Sequence, residues 1–340
     1  MIKMIASDLD GTLLLDSRTV SEQNHLALAR AAASGIEIVI ASGRVLTSLP
    51  ESVFRISGIR YAITSNGAAI YRIPAASEKS DAFRGESYRK VSDIFRQNTE
   101  NKLMTDSGTE SLTDFQKILD RNPQNYSDSF RKRLMAAQRI FHHPLSEKSV
   151  LGLLDLTASF PSNRFPISYE VFINGVAYAS SSYVNEPARF GASSAYVSYV
   201  KSTRIMKDDI REFIYQHRSE LDGLDLVIGD FVLCSQLRNQ IRNVLPDIYT
   251  TSSVPNRIEN SSSQAGKGAA LRFLCSHLNI RREDTVAFGD ADNDIDLLTA
   301  AGTGIAMGNA TERCRRAADY ITGRFDKNGL ADALCSRFAI

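Results

Sequence analysis

The chain has 340 residues, 43% apolar and 23% charged, with 40 Lys+Arg against 39 Asp+Glu. That length suits about two domains, and the balance is that of a soluble globular protein whose cores need no staples. A net charge of +1 leaves no overall attraction for nucleic acid or an anionic membrane.

Cys234, Cys275, Cys314 and Cys335 are widely spaced and form no CxxC pair. This argues against a disulfide framework or a structural zinc site, and for a reduced, cytoplasmic compartment. Asp8 arrives too early for a signal peptide. No stretch approaches the roughly 20 apolar residues of a membrane span.

The first 70 residues alternate strand and helix. Residues 2–7 form a short apolar run suited to a buried parallel strand. Ser21 is placed to cap a helix over 22–34, which Gly35 stops. A β-branched strand over 36–41, a helix over 46–56 and a strand over 61–64 follow, ending at Ser65-Asn66-Gly67. The pattern implies a parallel sheet with helices on its faces. The same style returns at the end. A helix over 267–277 precedes a strand over 285–288, a helix over 294–301 and short strands at 304–307 and 320–321.

The middle differs. Helical stretches at 87–98, 114–119, 130–141 and 207–217 are interspersed with strand-like stretches at 169–173 and 195–199. Asn174-Gly175 between apolar runs signals a hairpin. The pattern predicts an α+β module, residues 85–255, inserted into one α/β domain made of 1–84 and 256–340. Between 81 and 255 there are 21 basic and 21 acidic residues, so the insert is neutral. The Ser/Asn-rich stretch 259–264 reads as a linker or exposed loop.

Chemistry concentrates at element ends. Asp8-Leu9-Asp10-Gly11-Thr12 sits where the first strand ends. Alternate residues of a strand share a side, so Asp8 and Asp10 would present two carboxylates together at the edge where open parallel sheets bind ligands. Two such carboxylates repel unless a cation or a proton relieves them, and hard oxygen donors favour Mg²⁺. Ser42-Gly43-Arg44 follows the second strand and offers a hydroxyl and backbone N–H groups to phosphate. Lys267 begins a predicted helix, which favours an anion there. Gly289-Asp290-Ala291-Asp292-Asn293-Asp294 packs three carboxylates and an amide after the next core strand. Each segment alone has a bland reading, as a polar turn, a surface lysine or an acidic helix start.

Together and in this order, these four segments resemble the motifs of the haloacid dehalogenase (HAD) superfamily, and within it the Cof-type, or class IIB, phosphatases. The match covers about residues 1–75 and 256–335; Ser65-Asn66-Gly67-Ala68 and Asp326-Lys327-Asn328-Gly329-Leu330 also look like Cof-type segments. The resemblance implies a Rossmann-like doubly wound parallel sheet core with an inserted α+β cap domain that selects the substrate. It implies that Asp8 attacks phosphorus to give an aspartyl-phosphate, and that Asp10 is the general acid and base. Mg²⁺ would be held by the Asp8 carboxylate, the Asp10 backbone carbonyl and Asp290. Ser42, Gly43, Lys267 and Asn293 would bind phosphate. Asp294 would orient the metal shell or Lys267, with Arg44 and Asn66 as substrate or structural contacts. Asp292 falls in a variable, solvated slot.

The cap is unusually long. Residues 101–166, with Arg131-Lys132-Arg133 and His142-His143, align with no ordinary cap segment and read as an inserted helical subdomain. Adjacent histidines rarely ligate together, so surface or packing roles are expected for the pair. Phe172, Tyr178, Tyr183 and Tyr199 read as cap core. The favoured function is a Mg²⁺-dependent phosphatase for small phosphorylated metabolites, such as sugar phosphates or phosphorylated cofactors, working as a monomer or homodimer. A phosphomannomutase-like phosphomutase is the alternative, disfavoured by the neutral cap; an inactive phospho-ligand-binding protein is a third.

Overall fold

The structure, a computed structural model, describes residues 1–75, 107–121, 126–158 and 167–340. The helix expected over 87–98 lies outside them. Among these residues the strands are β1 (Met4–Ser7), β2 (Glu37–Ala41), β3 (Ile59–Thr64), β4 (Ala69–Arg72), β5 (Gln138–His142), β6 (Ile167–Ile173), β7 (Val176–Ser180), β8 (Arg204–Lys207), β9 (Gly223–Ile228), β10 (Ile248–Thr251), β11 (Arg257–Ser262), β12 (Thr285–Gly289), β13 (Thr303–Ala306) and β14 (Tyr320–Ile321).

Eight strands form one sheet in the order β14-β13-β12-β1-β2-β3-β4-β5. The six from β14 to β3 run parallel, and β4 and β5 add an antiparallel edge. β1 is central and buried throughout, as its apolar run requires. The helix Glu22–Ala33 begins at Ser21, whose hydroxyl accepts from the Asn24 N–H. The helix expected over 46–56 is broken instead. Leu46–Ser48 is a 3₁₀ turn and Glu51–Phe54 a separate turn of helix. Pro50 between them lacks the N–H a continuous helix needs.

The second sheet has the order β10-β11-β9-β6-β7-β8 and is antiparallel except for β7 with β8. β6 and β7 are joined by Asn174-Gly175, both at positive φ (50° and 78°), the turn its sequence signals. This sheet and its helices are the cap of a two-part α/β fold. One apolar cluster runs through both parts. It includes Ile5, Leu28 and Ile38 from the first, Phe115 and Ile118 from the helix Ser107–Arg121, and Val171, Tyr178 and Leu224 from the second. Each fully buried Leu or Ile there contributes about 1.5–3 kcal/mol.

The sheets do not change at the expected boundaries of 84/85 and 255/256. β5 lies inside the expected insert yet pairs with β4 of the core sheet. The helix predicted over 130–141 stops at Met135, because residues 138–142 extend along that edge and bring Phe141 against Phe273. Conversely, β11 lies in the expected core segment yet belongs to the cap sheet. The presumed linker 259–264 is therefore mostly a buried strand. Asn260 in it is matched: it donates to the Leu224 carbonyl at 2.9 Å and accepts from Thr250 at 3.0 Å.

A further correction concerns 195–199, read as a strand. The helix Ser194–Thr203 occupies this stretch. Tyr199, Val200 and Thr203 are buried on one face, with Tyr196 one turn before. That is helical spacing, and the face packs against Ala179, Tyr183 and Val227. The histidine pair takes packing roles. His142 Nε2 lies 2.7 Å from Asp222 Oδ1, and His143 meets Phe141 edge-on.

Candidate active site

β12, β1, β2 and β3 lie side by side and parallel, so the segments after them meet at one edge. Asp290 follows β12, Asp8 follows β1, Ser42 follows β2 and Ser65 follows β3. Past Asp8 the chain turns at Gly11, with φ +81°. A Cβ on Gly11 would stand 2.4 Å from Asp290 Oδ2, so only glycine lets the turn approach that carboxylate.

The two carboxylates of the DxD turn part company. Asp8 is 6% exposed and accepts from Lys267 Nζ at 2.6 Å. The Asp10 side chain is 55% exposed and turns to Arg44, which donates through Nε at 2.8 Å and Nη2 at 2.5 Å. The two side chains expected to stand together therefore do not: Asp8 lies with Asp290 and Asp294, and Asp10 faces Arg44.

Lys267 starts the helix Lys267–His277 and is fully buried. Its ammonium also donates to Asp294 Oδ1 at 2.6 Å. Burial opposes the charge, but Asp294 and Asp8 outweigh it and lift its pKa above the ordinary lysine range. A close backbone crossing fixes its place. A Cβ on Gly67, at φ +91°, would collide with the carbonyl of Gly266. Asp296 accepts from the Gly268 N–H at 2.9 Å and so caps the helix start.

The acidic loop is tied internally. Asp294 Oδ2 accepts from the backbone N–H of Asp290 and of Ala291, both at 3.0 Å. Asp290 Oδ1 accepts from Thr12 at 2.9 Å, and its Oδ2 from Asn309 at 3.3 Å. Asp8, Asp290 and Asp294 bring one oxygen each to within 4.8 Å of one another. Burial and the Asp294 charge push Asp8 well above the carboxylate range and Asp290 up to about 7. One ammonium does not balance three carboxylates, two of them buried and Asp290 half-buried. The residues fit a divalent cation, since the donors are hard oxygens and their charge is undercompensated. Asp292 does not share in this. It pairs with Arg313 and accepts from Thr311, so the slot read as solvated is an ion pair.

Ser42 Oγ accepts from the Arg44 N–H at 3.2 Å, a small turn that leaves Ser42 and Gly43 on the cleft wall. Asn293 donates to Asn66 Oδ1 at 3.0 Å, and Asn66 donates to Glu259 Oε2 at 3.1 Å. Asn66 thus links the acidic loop to the cap strand β11. It stands at φ 52°, a left-handed conformation that asparagine tolerates better than most residues.

These residues line a cleft of about 520 Å³ between the sheets. Its floor holds Asp8, Asp10, Ser42, Gly43, Arg44, Asp290 and Asn293; its roof includes Tyr196, Tyr199, Arg204 and Arg257. Arg204 and Arg257 share the buried Glu170, at 2.9 and 2.6 Å. The sequence reading missed Thr12, Asn309, Asp296, Glu259 and this arginine pair. A lone threonine or arginine carries no local signal, and only the fold brings each to its partner. It favoured cap core over a place against substrate for Tyr199; the ring is buried and also forms part of the cleft roof.

The family model for haloacid dehalogenase-like hydrolases matches residues 5–134 and 134–334. The chain belongs to this family. It is of the Cof type, and a phosphoric monoester hydrolase. It is 29% identical over 336 residues to the phosphatase YwpJ of Bacillus subtilis, covering 97% of this chain and 98% of that one. It is 24% identical to the 5-amino-6-(5-phospho-D-ribitylamino)uracil phosphatase YcsE of the same organism, covering 98% and 94%. Among solved structures it is similar to a haloacid dehalogenase-like hydrolase from B. subtilis, with TM-score 0.68, 25% identity and coverage of 99% and 100%. The fold also matches the HAD subclass IIB sugar phosphatase BT4131, with TM-score 0.65, 17% identity and coverage of 99% and 100%. Among the described residues no helix is long and apolar enough to cross a membrane.

Proposed function

We propose that this enzyme is a Mg²⁺-dependent phosphatase of small phosphorylated metabolites, sugar phosphates or phosphorylated cofactors, acting through a phosphoryl group carried on Asp8. One observation carries the reading. The Asp8 carboxylate lies on the floor of a roofed cleft, held by Lys267 and grouped with Asp290 and Asp294.

In this reading Asp8 Oδ attacks phosphorus as the P–O bond to the leaving group breaks. Asp10 gives its proton to the departing oxygen, then takes one from the water that cleaves the acyl phosphate. Lys267, Ser42, the Gly43 backbone and Asn293 hold the equatorial oxygens, where charge spreads in the transition state. Asp294 keeps Lys267 in place. Asp8, Asp290 and the Asp10 carbonyl would hold Mg²⁺, which supplies charge neutralisation between carboxylate and phosphate. The roof, with carboxylates, amides, arginines and tyrosines together, suits a leaving group rich in hydroxyls.

The test is phosphate release from a panel of phosphorylated metabolites, with Mg²⁺ and with chelator. Metal-dependent release supports the reading; release that chelator leaves unchanged contradicts it.

A further inference from the structure

We propose that Tyr199 of the cap is a positioning residue for proton transfer at Asp10, acting through Arg44. This rests on the phosphatase reading above and adds to it a link between cap and acid.

Arg44 is almost buried, and the core uses its edges. Nε and Nη2 take both oxygens of Asp10, while Nη1 donates to the carbonyls of Ser17 and Ser48 at 2.9 and 3.2 Å. What remains is the face of the guanidinium, and the cap supplies its partner there. The Arg44 carbon lies 4.7 Å from the centroid of the Tyr199 ring. Arg204 lies over the same ring, also at 4.7 Å, and is fixed by Glu170. A continuous series therefore runs from the buried cap, Glu170–Arg204–Tyr199, to the core pair Arg44–Asp10.

The physical consequence follows from exposure. Asp10 is half open to solvent, so its direction depends on the guanidinium that grips it. A ring seated on that guanidinium adds about 0.5–2 kcal/mol of cation–π attraction. With the cap seated, Asp10 has one orientation; without the ring, Arg44 and Asp10 loosen together. Proton transfer is steeply sensitive to such placement.

Leaving-group dependence separates this role from packing. The Asp10 proton passes to the ester oxygen as the P–O bond breaks. An alkoxide needs that proton, whereas p-nitrophenolate leaves without it. The measurement is kcat/KM for glycerol 2-phosphate and for p-nitrophenyl phosphate with Mg²⁺. Wild type is compared with Tyr199→Leu, which keeps apolar bulk without a π face, and with Tyr199→Phe, which keeps the ring. Tyr199→Met, a flexible gap-filler, repeats the Leu test if that variant melts early.

Tyr199→Leu is expected to lose about ten-fold more on the alkyl ester than on the aryl ester, a fraction of what a general acid contributes. Tyr199→Phe is expected to restore the wild-type ratio. Equal losses on both esters, or a Phe variant that behaves like Leu, would overturn the inference and leave the phosphatase reading standing. A wild type that hydrolyses neither ester would overturn both.

Discussion

Lys267 Nζ stands 2.6 Å from Asp8 Oδ1, with no solvent access to the lysine. The same ammonium lies 2.6 Å from Asp294 Oδ1. The buried ammonium is the counter-ion of both carboxylates, and part of its charge is set on the proposed nucleophile. Removing either end therefore has opposite consequences for stability.

Lys267→Met leaves Asp8 and Asp294 buried without their counter-ion. Loss of one partner of a buried pair costs about 3–5 kcal/mol. The variant is expected to unfold at markedly lower denaturant and to release no phosphate. Asp8→Asn is also expected to be inactive, yet at least as stable as the wild type in chelator, because it removes one of three crowded carboxylates. Paired denaturant titrations check the contrast.

Mg²⁺ is expected to raise the melting temperature as well as switch on activity. A ligand at 100 times its Kd adds about 2.7 kcal/mol. Asp290→Asn is expected to abolish that shift. Asp290, raised to about 7 by burial and Asp294, must lose its proton to bind. The Mg²⁺-induced shift should therefore shrink as pH falls below about 7, as thermal melts across pH would record. A shift retained in Asp290→Asn contradicts the proposed ligand set.

The core was legible because its signals are local. β1 and the turn after it lie within a dozen residues, and the helix Lys267–His277 occurs with the bounds its sequence predicts. The cap was less so. Ala195 to Tyr199 is rich in aromatic and β-branched residues as a strand is, and only burial on the spacing of Tyr199, Val200 and Thr203 shows a helix. Residues 259–264 look like a loop because nothing in them is apolar. Residues 259–262 instead continue a buried strand, where Leu224 and Thr250 match Asn260, and Asn66 and Ser253 match Glu259. Such matching is a tertiary fact that composition does not encode. Strand alternation at the DxD turn gave too simple a geometry, because Asp10 faces Arg44 across the cleft rather than joining Asp8.

Glu170 gives the cap its own pH dependence. Burial opposes its charge, but Arg204 and Arg257 outweigh it and hold its pKa below the ordinary range. A carboxyl depressed in the fold contributes stability above its unfolded pKa of about 4.3, lost as pH falls through the folded value. Glu170→Gln is expected to cost about 3–5 kcal/mol at pH 7. The gap to wild type should narrow below about pH 4. Denaturant unfolding at pH 7 and pH 3.5 measures both; a gap that widens in acid contradicts the assignment.

Glu259 reaches across from the cap strand to Asn66, and Asn66 to Asn293. Glu259→Ala is expected to free Asn293 and lower kcat/KM about ten-fold, the scale of losing one positioning contact. Inhibition by inorganic phosphate should weaken in parallel, since Asn293 is proposed to hold phosphate. Unchanged inhibition would place Asn293 outside the phosphate site.

The central claim is a covalent phosphoryl group on Asp8. The most direct test is rapid acid quench of enzyme mixed with ³²P-labelled p-nitrophenyl phosphate and Mg²⁺. Asp10→Asn should accumulate acid-stable, hydroxylamine-sensitive label, because the aryl leaving group needs no acid while hydrolysis lacks its base. Peptide mapping should place the label at Asp8, and Asp8→Asn should carry none. Label on another residue, or turnover by Asp8→Asn, would contradict the mechanism.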